Sequence, residues 1–111
     1  MLLKVGRHIR PSKAFKLIIA REEGENRFLS GYKRQFQSIS TVSHAGPLAL
    51  IEGEALDSDQ LELACAITAR YSKGRDADSV EVRFSDRERE SRSIHVKPLP
   101  AAQIDPDWVI V

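Results

Sequence analysis

The sequence predicts an α+β fold: a single small domain with a mixed or mostly antiparallel sheet and two helices, in the order ββαββαββ. Three observations carry that reading. The chain of 111 residues can close one hydrophobic core and not two. Its apolar residues fall into six short strand-like stretches and two longer ones with helical spacing. No linker, low-complexity run or sequence repeat divides it.

The first strand is read from Leu3, Val5 and Ile9 alternating with Lys4, Gly6, His8 and Arg10, with Arg7 an intrusion on the apolar side. Pro11 and Ser12 end it as a turn. Phe15 to Ala20 is nearly continuous in apolar residues, which suits a central strand pairing with the first as a hairpin. From Glu22 to about Arg34 the period changes. Phe28, Leu29 and Tyr32 share a helical face, acids crowd the first turn and Lys33 and Arg34 the last, as the helix dipole favours.

Phe36 to Val42 reads as a third strand and Leu48 to Glu52 as a fourth, joined antiparallel through the tight segment Ser43 to Pro47. Asp57 with Gln60 approximates a capping box opening a helix that runs to Lys73, with Gly74 placed to end it in a left-handed conformation. Leu61, Ala64, Ile67 and Tyr71 give that helix a broad core-facing arc. Val80, Val82 and Phe84 make a fifth strand, Ser85 to Arg92 a charged tip, and Ile94 and Val96 a sixth. The domain is assigned to residues 1–100. Residues 101–111 form a C-terminal tail expected to dock through Trp108, since a free end would seldom keep Trp108, Val109 and Ile110 exposed.

At 41% apolar and 30% charged, the chain is unlike a disordered or membrane protein, and no apolar run approaches the roughly 18 residues of a spanning helix. No membrane partner is expected. The N-terminus lacks the continuous apolar stretch of a signal peptide, so the expected localisation is cytoplasmic. The single Cys65 excludes an internal disulfide; it sits mid-helix between alanines, where a small packing residue belongs. His8, His44 and His95 fall on different elements with no ligand spacing, and neither GxxxxGK[ST] nor GxGxxG is present. No metal and no cofactor is expected. Carboxylate pairs such as Glu22 and Glu23 are accounted for by their place at a helix start.

The net charge of +1 conceals an asymmetry: residues 1 to 34 carry nine Lys or Arg against three acids, and the remainder eight against thirteen. If the first segment stays contiguous in space, its basic face can attract phosphates locally; a solvated charged surface is the plainer alternative. Arg21 stands where a strand meets a helix start, a place for either a phosphate contact or an ordinary surface arginine. Asn26 can bond a neighbouring loop or a base edge. Gly46 permits close backbone approach within what is otherwise a turn. Arg70, Ser72, Lys73 and Arg75 gather donors at a helix end, where cations also stabilise the dipole.

Several of these segments resemble a known family. Phe15-Lys16-Leu17-Ile18-Ile19-Ala20-Arg21 followed by Glu22 to Asn26, then His44-Ala45-Gly46-Pro47, then Ala64 to Ala69 with Arg70-Tyr71-Ser72-Lys73, are similar to the NFACT-R type of RNA-binding domain. The resemblance covers residues 4 to 84, and the Arg-Tyr-Ser-Lys end is its most specific part. Ala20 and Glu22 depart from that family's Gly and Asp or Asn around the arginine, and no second histidine follows Gly46. Such domains occur in ribosome quality-control factors, and a related form accompanies PP-loop ATPase domains of the tRNA thiouridylase type. The resemblance implies a non-catalytic module that binds RNA, tRNA in particular, for translation or RNA modification. Its surface would comprise Arg21, Asn26, His44, Gly46, Arg70, Ser72 and Lys73, with Lys4, His8 and Arg10 as phosphate contacts. The second reading is a protein-interaction subunit docking onto a PP-loop ATPase through Trp108 and the Ser85 to Arg92 tip. The third, a small hydrolase or transferase, requires a cleft of convergent polar groups.

Overall fold

A strand with no exposed side needs cover on both faces, and Phe15–Ile19 is such a strand, buried at all five positions. The structure, a computed structural model, describes residues 5–54, 56–88 and 90–110. Its strands are β1 (Arg7–Ser12), β2 (Phe15–Ile19), β3 (Gln37–Thr41), β4 (Ala49–Gly53), β5 (Val80–Ser85) and β6 (Ser91–Val96). Helix α1 (Glu23–Ser30) lies between β2 and β3, and α2 (Ser58–Arg70) between β4 and β5. Two short 3-10 turns, Ala101–Gln103 and Pro106–Trp108, follow β6. The domain is therefore α+β. Its six strands form one sheet in the order β1-β2-β4-β3-β5-β6, with every neighbouring pair antiparallel.

The helices take opposite faces. Leu17, Ile19, Ile39, Ile51, Val80 and Val82 pack with Leu61, Ala64 and Ile67 of α2 on one side. On the other, Ile18, Ala20, Leu48 and Leu50 pack with Leu29 of α1. The Asp57 capping box is formed: Asp57 Oδ1 accepts from Gln60 N at 2.8 Å and Gln60 Oε1 from Asp57 N at 3.1 Å. The covers are unequal in size. A helix about 10 Å across cannot roof a sheet of six strands spaced by about 4.8 Å, and α1, with eight residues, leaves its face open over β5, β6 and the Ser40 end of β3, where Arg83, Ser91 and Ser93 are exposed and Ser40 half-buried.

Several boundaries differ from the sequence expectation. Helix α1 stops at Ser30 and the chain continues in turns, Tyr32 N to Leu29 O at 2.9 Å and Gln35 N to Tyr32 O at 3.0 Å, so Lys33 and Arg34 follow the helix instead of ending it. Helix α2 stops at Arg70, with Tyr71 as its C-cap. Gly74 is not left-handed, since the glycines at positive φ are Gly6 and Gly53. Gly74 is instead a packing requirement: a Cβ there would stand 2.7 Å from the His44 ring and 2.8 Å from Val80. Strand β1 continues through Pro11 to Ser12 with an irregularity after Ile9, which an edge strand tolerates because a proline there forfeits no ladder bond.

The C-terminal segment returns to that edge. Val109 forms an antiparallel bridge with Ile9, Ile110 N donates to His8 O at 3.0 Å, and Trp108 packs against the α2-side core. Covering an open strand edge removes a template for intermolecular pairing. Trp108→Ala is expected to cost about 1–3 kcal/mol, less than full burial of the ring would imply, measured as a fall in the urea midpoint. An unchanged midpoint would mean that the tail adds nothing to the fold.

Candidate nucleic-acid interface

Helix and loop ends leave backbone polar groups without partners, and what satisfies them decides where chain segments meet. Three bonds converge at the C-terminal end of β2. Ala20 N donates to Leu48 O at 3.0 Å, Lys73 N donates to Ala45 O at 2.8 Å, and Leu48 N donates to Asn26 Oδ1 at 2.9 Å. They tie β2, the start of α1, the β3–β4 loop and the turn after α2 around a cleft of about 370 Å³.

Six of the residues singled out from sequence line this cleft: Arg21, Asn26, Gly46, Ser72, Lys73 and Arg75. Their roles divide. Ser72 is 1% exposed; its Oγ donates to Ala69 O at 2.7 Å and accepts from Gly74 N at 3.0 Å, so it closes the end of α2. Gly46 is required for space, because a Cβ there would lie 2.6 Å from both Ser72 Cβ and Thr41 Oγ1. Asn26 spends its carbonyl oxygen on the loop and keeps its NH₂ uncommitted among the described residues. Lys73 and Arg75 line the cleft and are exposed, and they supply charge.

Arg21 is held by Glu25. Nε donates to Oε1 at 3.1 Å and Nη2 to Oε2 at 2.7 Å. The same carboxylate accepts from Arg21 N at 2.8 Å and Gly6 N at 3.1 Å. Hydrogen bonding from the guanidinium outweighs burial and holds the Glu25 carboxyl down from an ordinary 4.5 to about 2. Reciprocally, the Glu25 hydrogen bond raises the Arg21 pKa. The Arg21 side chain stays 46% exposed, so it is oriented without being buried.

One contributor stands outside the groups singled out from sequence. Arg7, which interrupts the apolar side of β1, places its guanidinium 4.3 Å above the ring centroid of Tyr71, a cleft residue. That is within cation–π range, and the interruption itself was the available signal.

The remaining candidates lie elsewhere. His44 sits outside the lining, its Nδ1 2.9 Å from Ser43 Oγ and its ring against Gly74. Arg70 directs Nη1 to Arg75 O at 3.4 Å. His8 is 1% exposed and its Nε2 donates to Val5 O at 3.1 Å; a phosphate has no path to it. Arg10 is exposed but belongs to the opposite end of the β1–β2 hairpin, beside Lys13, roughly 13 Å along the strand from Arg21. Lys4 falls outside the described residues. The basic first segment does not form one face, since Lys16 is buried and paired with Glu52 at 3.6 Å.

Cys65 is fully buried, and burial pushes its thiol up to about 12. Among the described residues, no three His, Cys, Asp or Glu side chains gather as a metal site.

The model of a family described as the NFACT protein RNA binding domain matches residues 6–109, which extends past the motif-bearing stretch to include both 3-10 turns. Among solved structures the chain is similar to the C-terminal part of the fibronectin/fibrinogen-binding protein from Streptococcus suis. The TM-score is 0.77 and the identity 16%, over 96% of this chain and 49% of the other. The chain thus spans about half the length of that structure, and the likeness is one of fold. No curated protein matches the sequence.

Asn26→Ala removes the acceptor for Leu48 N–H and is expected to cost about 1–3 kcal/mol in urea unfolding, the penalty for stranding a partly buried donor; a cost within a few tenths would show that the clip is dispensable. Glu25 contributes in a defined pH window. Its folded pKa is depressed, so its stabilisation is fully present above about 4.5 and is lost as pH falls from there towards 2. Thermal melts across that window should show a shallower loss in Glu25→Gln than in the parent, and parallel curves would remove Glu25 from the acid response.

Proposed function

Because the chain belongs to the family described as the NFACT protein RNA binding domain, we propose that it is a non-catalytic module that holds RNA at the cleft between Arg21 and Lys73. The observation carrying this is the convergence of Arg21, Lys73 and Arg75 from two distant parts of the sequence onto one concave surface. Exposed cations at a concave surface bind phosphate oxygens and set affinity, while the neighbouring NH₂ of Asn26 offers a donor to a sugar or base edge. Aromatic groups are few, which favours recognition of backbone and shape over stacking on several unpaired bases.

The ligand we propose is tRNA, in the cytoplasm, presented to a translation or RNA-modification partner. A PP-loop ATPase domain or subunit is the proposed partner and would supply the chemistry. The rival reading, docking without RNA contact, relied on Trp108 and the Ser85 to Arg92 tip; the packing of Trp108 against the chain's own core weighs against the first of these.

Fluorescence anisotropy with labelled tRNA at low and moderate salt tests the reading. Lys73→Ala combined with Arg75→Ala should weaken binding and lower the log–log salt slope by about two, one for each phosphate no longer neutralised. Absence of tRNA binding at low salt would overturn it.

A further inference from the structure

The cleft is one end of a longer surface. A second hollow, of about 280 Å³, shares Glu23, Asn26 and Gly46 with it and adds Arg27, Ser30 and Lys33. A third, of about 500 Å³, shares Ser30, Lys33 and Ser40 with the second and reaches Arg34, Arg83 and Ser91. Helix α1 and the turn after it therefore form one continuous wall. The floor of the far end is the sheet face that α1 leaves bare.

Strand pairing makes that floor regular. Ser38 is opposite Ser85, which is opposite Ser91; Ser40 is opposite Arg83, which is opposite Ser93. Partners directly across a sheet hold their Cβ atoms about 5 Å apart on one face, so a row of three serines lies beside a row in which Arg83 stands between Ser40 and Ser93. Hydroxyls of this kind can donate to phosphate and can exchange bonds with a ribose 2′-OH. The surface is also charged: the three hollows together contain seven Lys or Arg against three acids, in a chain whose net charge is +1. One of those acids, Asp86, is committed to its own turn, where its Oδ1 accepts from Glu88 N at 2.9 Å and Glu90 N at 3.0 Å. Among the described residues, Lys33, Arg34 and Arg83 have no ion-pair partner.

We propose that these hollows form a single track for an RNA strand, running from the Lys73 cleft along α1 to a second phosphate-binding end at Lys33, Arg34 and Arg83. The inference rests on the RNA reading of the cleft and extends it to a ligand class: a strand of several nucleotides whose backbone follows a polar groove, as in other single-strand binders.

Binding of single-stranded RNA oligomers of about four and about twelve nucleotides tests it, with folding of each variant checked by circular dichroism. Lys33→Ala combined with Arg83→Ala should leave the short oligomer unaffected, weaken the longer one roughly tenfold, and lower its salt slope by about 0.7 for each phosphate no longer neutralised. Lys73→Ala with Arg75→Ala should weaken both lengths. Arg10→Ala with Lys13→Ala, which removes two cations far from the track, should change neither. If the Lys33 and Arg83 variant binds both lengths like the parent, or if the Arg10 and Lys13 variant loses as much, the track is overturned while the cleft stands. If neither the parent nor any variant binds either oligomer, the track is overturned, and the tRNA titration decides the cleft separately. Loss of binding to a polyglutamate peptide with RNA binding intact would assign the trough to an acidic protein segment and overturn the track as well.

Discussion

Full burial of β2 on both faces is the constraint from which the rest of this structure follows. Phe15, Leu17 and Ile19 face one way and Ile18 the other, so neither helix alone could shield the strand. A helix must lie on each side. The two helices are unequal, thirteen residues against eight, and the larger one closes the main core. The smaller covers only what Ile18, Ala20, Leu48 and Leu50 require. The open face over β5, β6 and the Ser40 end of β3 is the geometric remainder of that division, and serines and an arginine occupy it in place of apolar groups.

The cleft arises from the same division, at the edge where both helices meet the sheet. Helix α1 begins where β2 ends, and the turn after α2 reaches the same place across the β3–β4 loop. Hydrogen bonds from Lys73 N and Leu48 N fix that meeting. Each contributes on the order of 1 kcal/mol net, but leaving one unmade costs more than making it gains. This explains why Asn26 and Ser72 look like binding residues and act largely as clips. Polar side chains at a loop junction are first claimed by the backbone, and only what is left over faces a ligand. For Asn26 the remainder is an NH₂; for Ser72, buried and doubly bonded, there is none.

What was legible in the sequence was local. The Asp57 and Gln60 cap, the three hairpins and the doubly buried β2 are each set by a few adjacent residues, and each appears as the pattern implies. What was not legible depended on distant partners. Arg7 reads as a flaw in an alternating strand until Tyr71, from the far end of α2, is placed under it. His8 reads as solvent-facing because its neighbours alternate, yet its side of the strand is covered and its ring is buried. Arg83 is one polar residue among many until the pairing with Ser40 and Ser93 is known. Charge counted along the chain misled for the same reason: Lys16 is hidden, while Lys73, Arg75 and Arg83 come from the acidic remainder.

The Arg21–Glu25 pair bears on how such a surface divides its work. A guanidinium bonded to a carboxylate by two parallel bonds is rigid and correctly aimed, but most of its long-range field is cancelled. Its value to a phosphate is short-range: preset donors that need no ordering on binding. Glu22 and Glu23 nearby reduce the attraction further. Attraction at a distance must then come from cations without carboxylate partners, and these lie at both ends of the groove, Lys73 and Arg75 at one and Lys33, Arg34 and Arg83 at the other. A strand drawn in by the two ends and aligned at one of them by the fixed donors of Arg21 would gain affinity from charges that specify nothing, and geometry from a pair that attracts little. Splitting the tasks in this way lets a nearly neutral protein bind a polyanion locally while avoiding the indiscriminate attraction that a strongly cationic one would show.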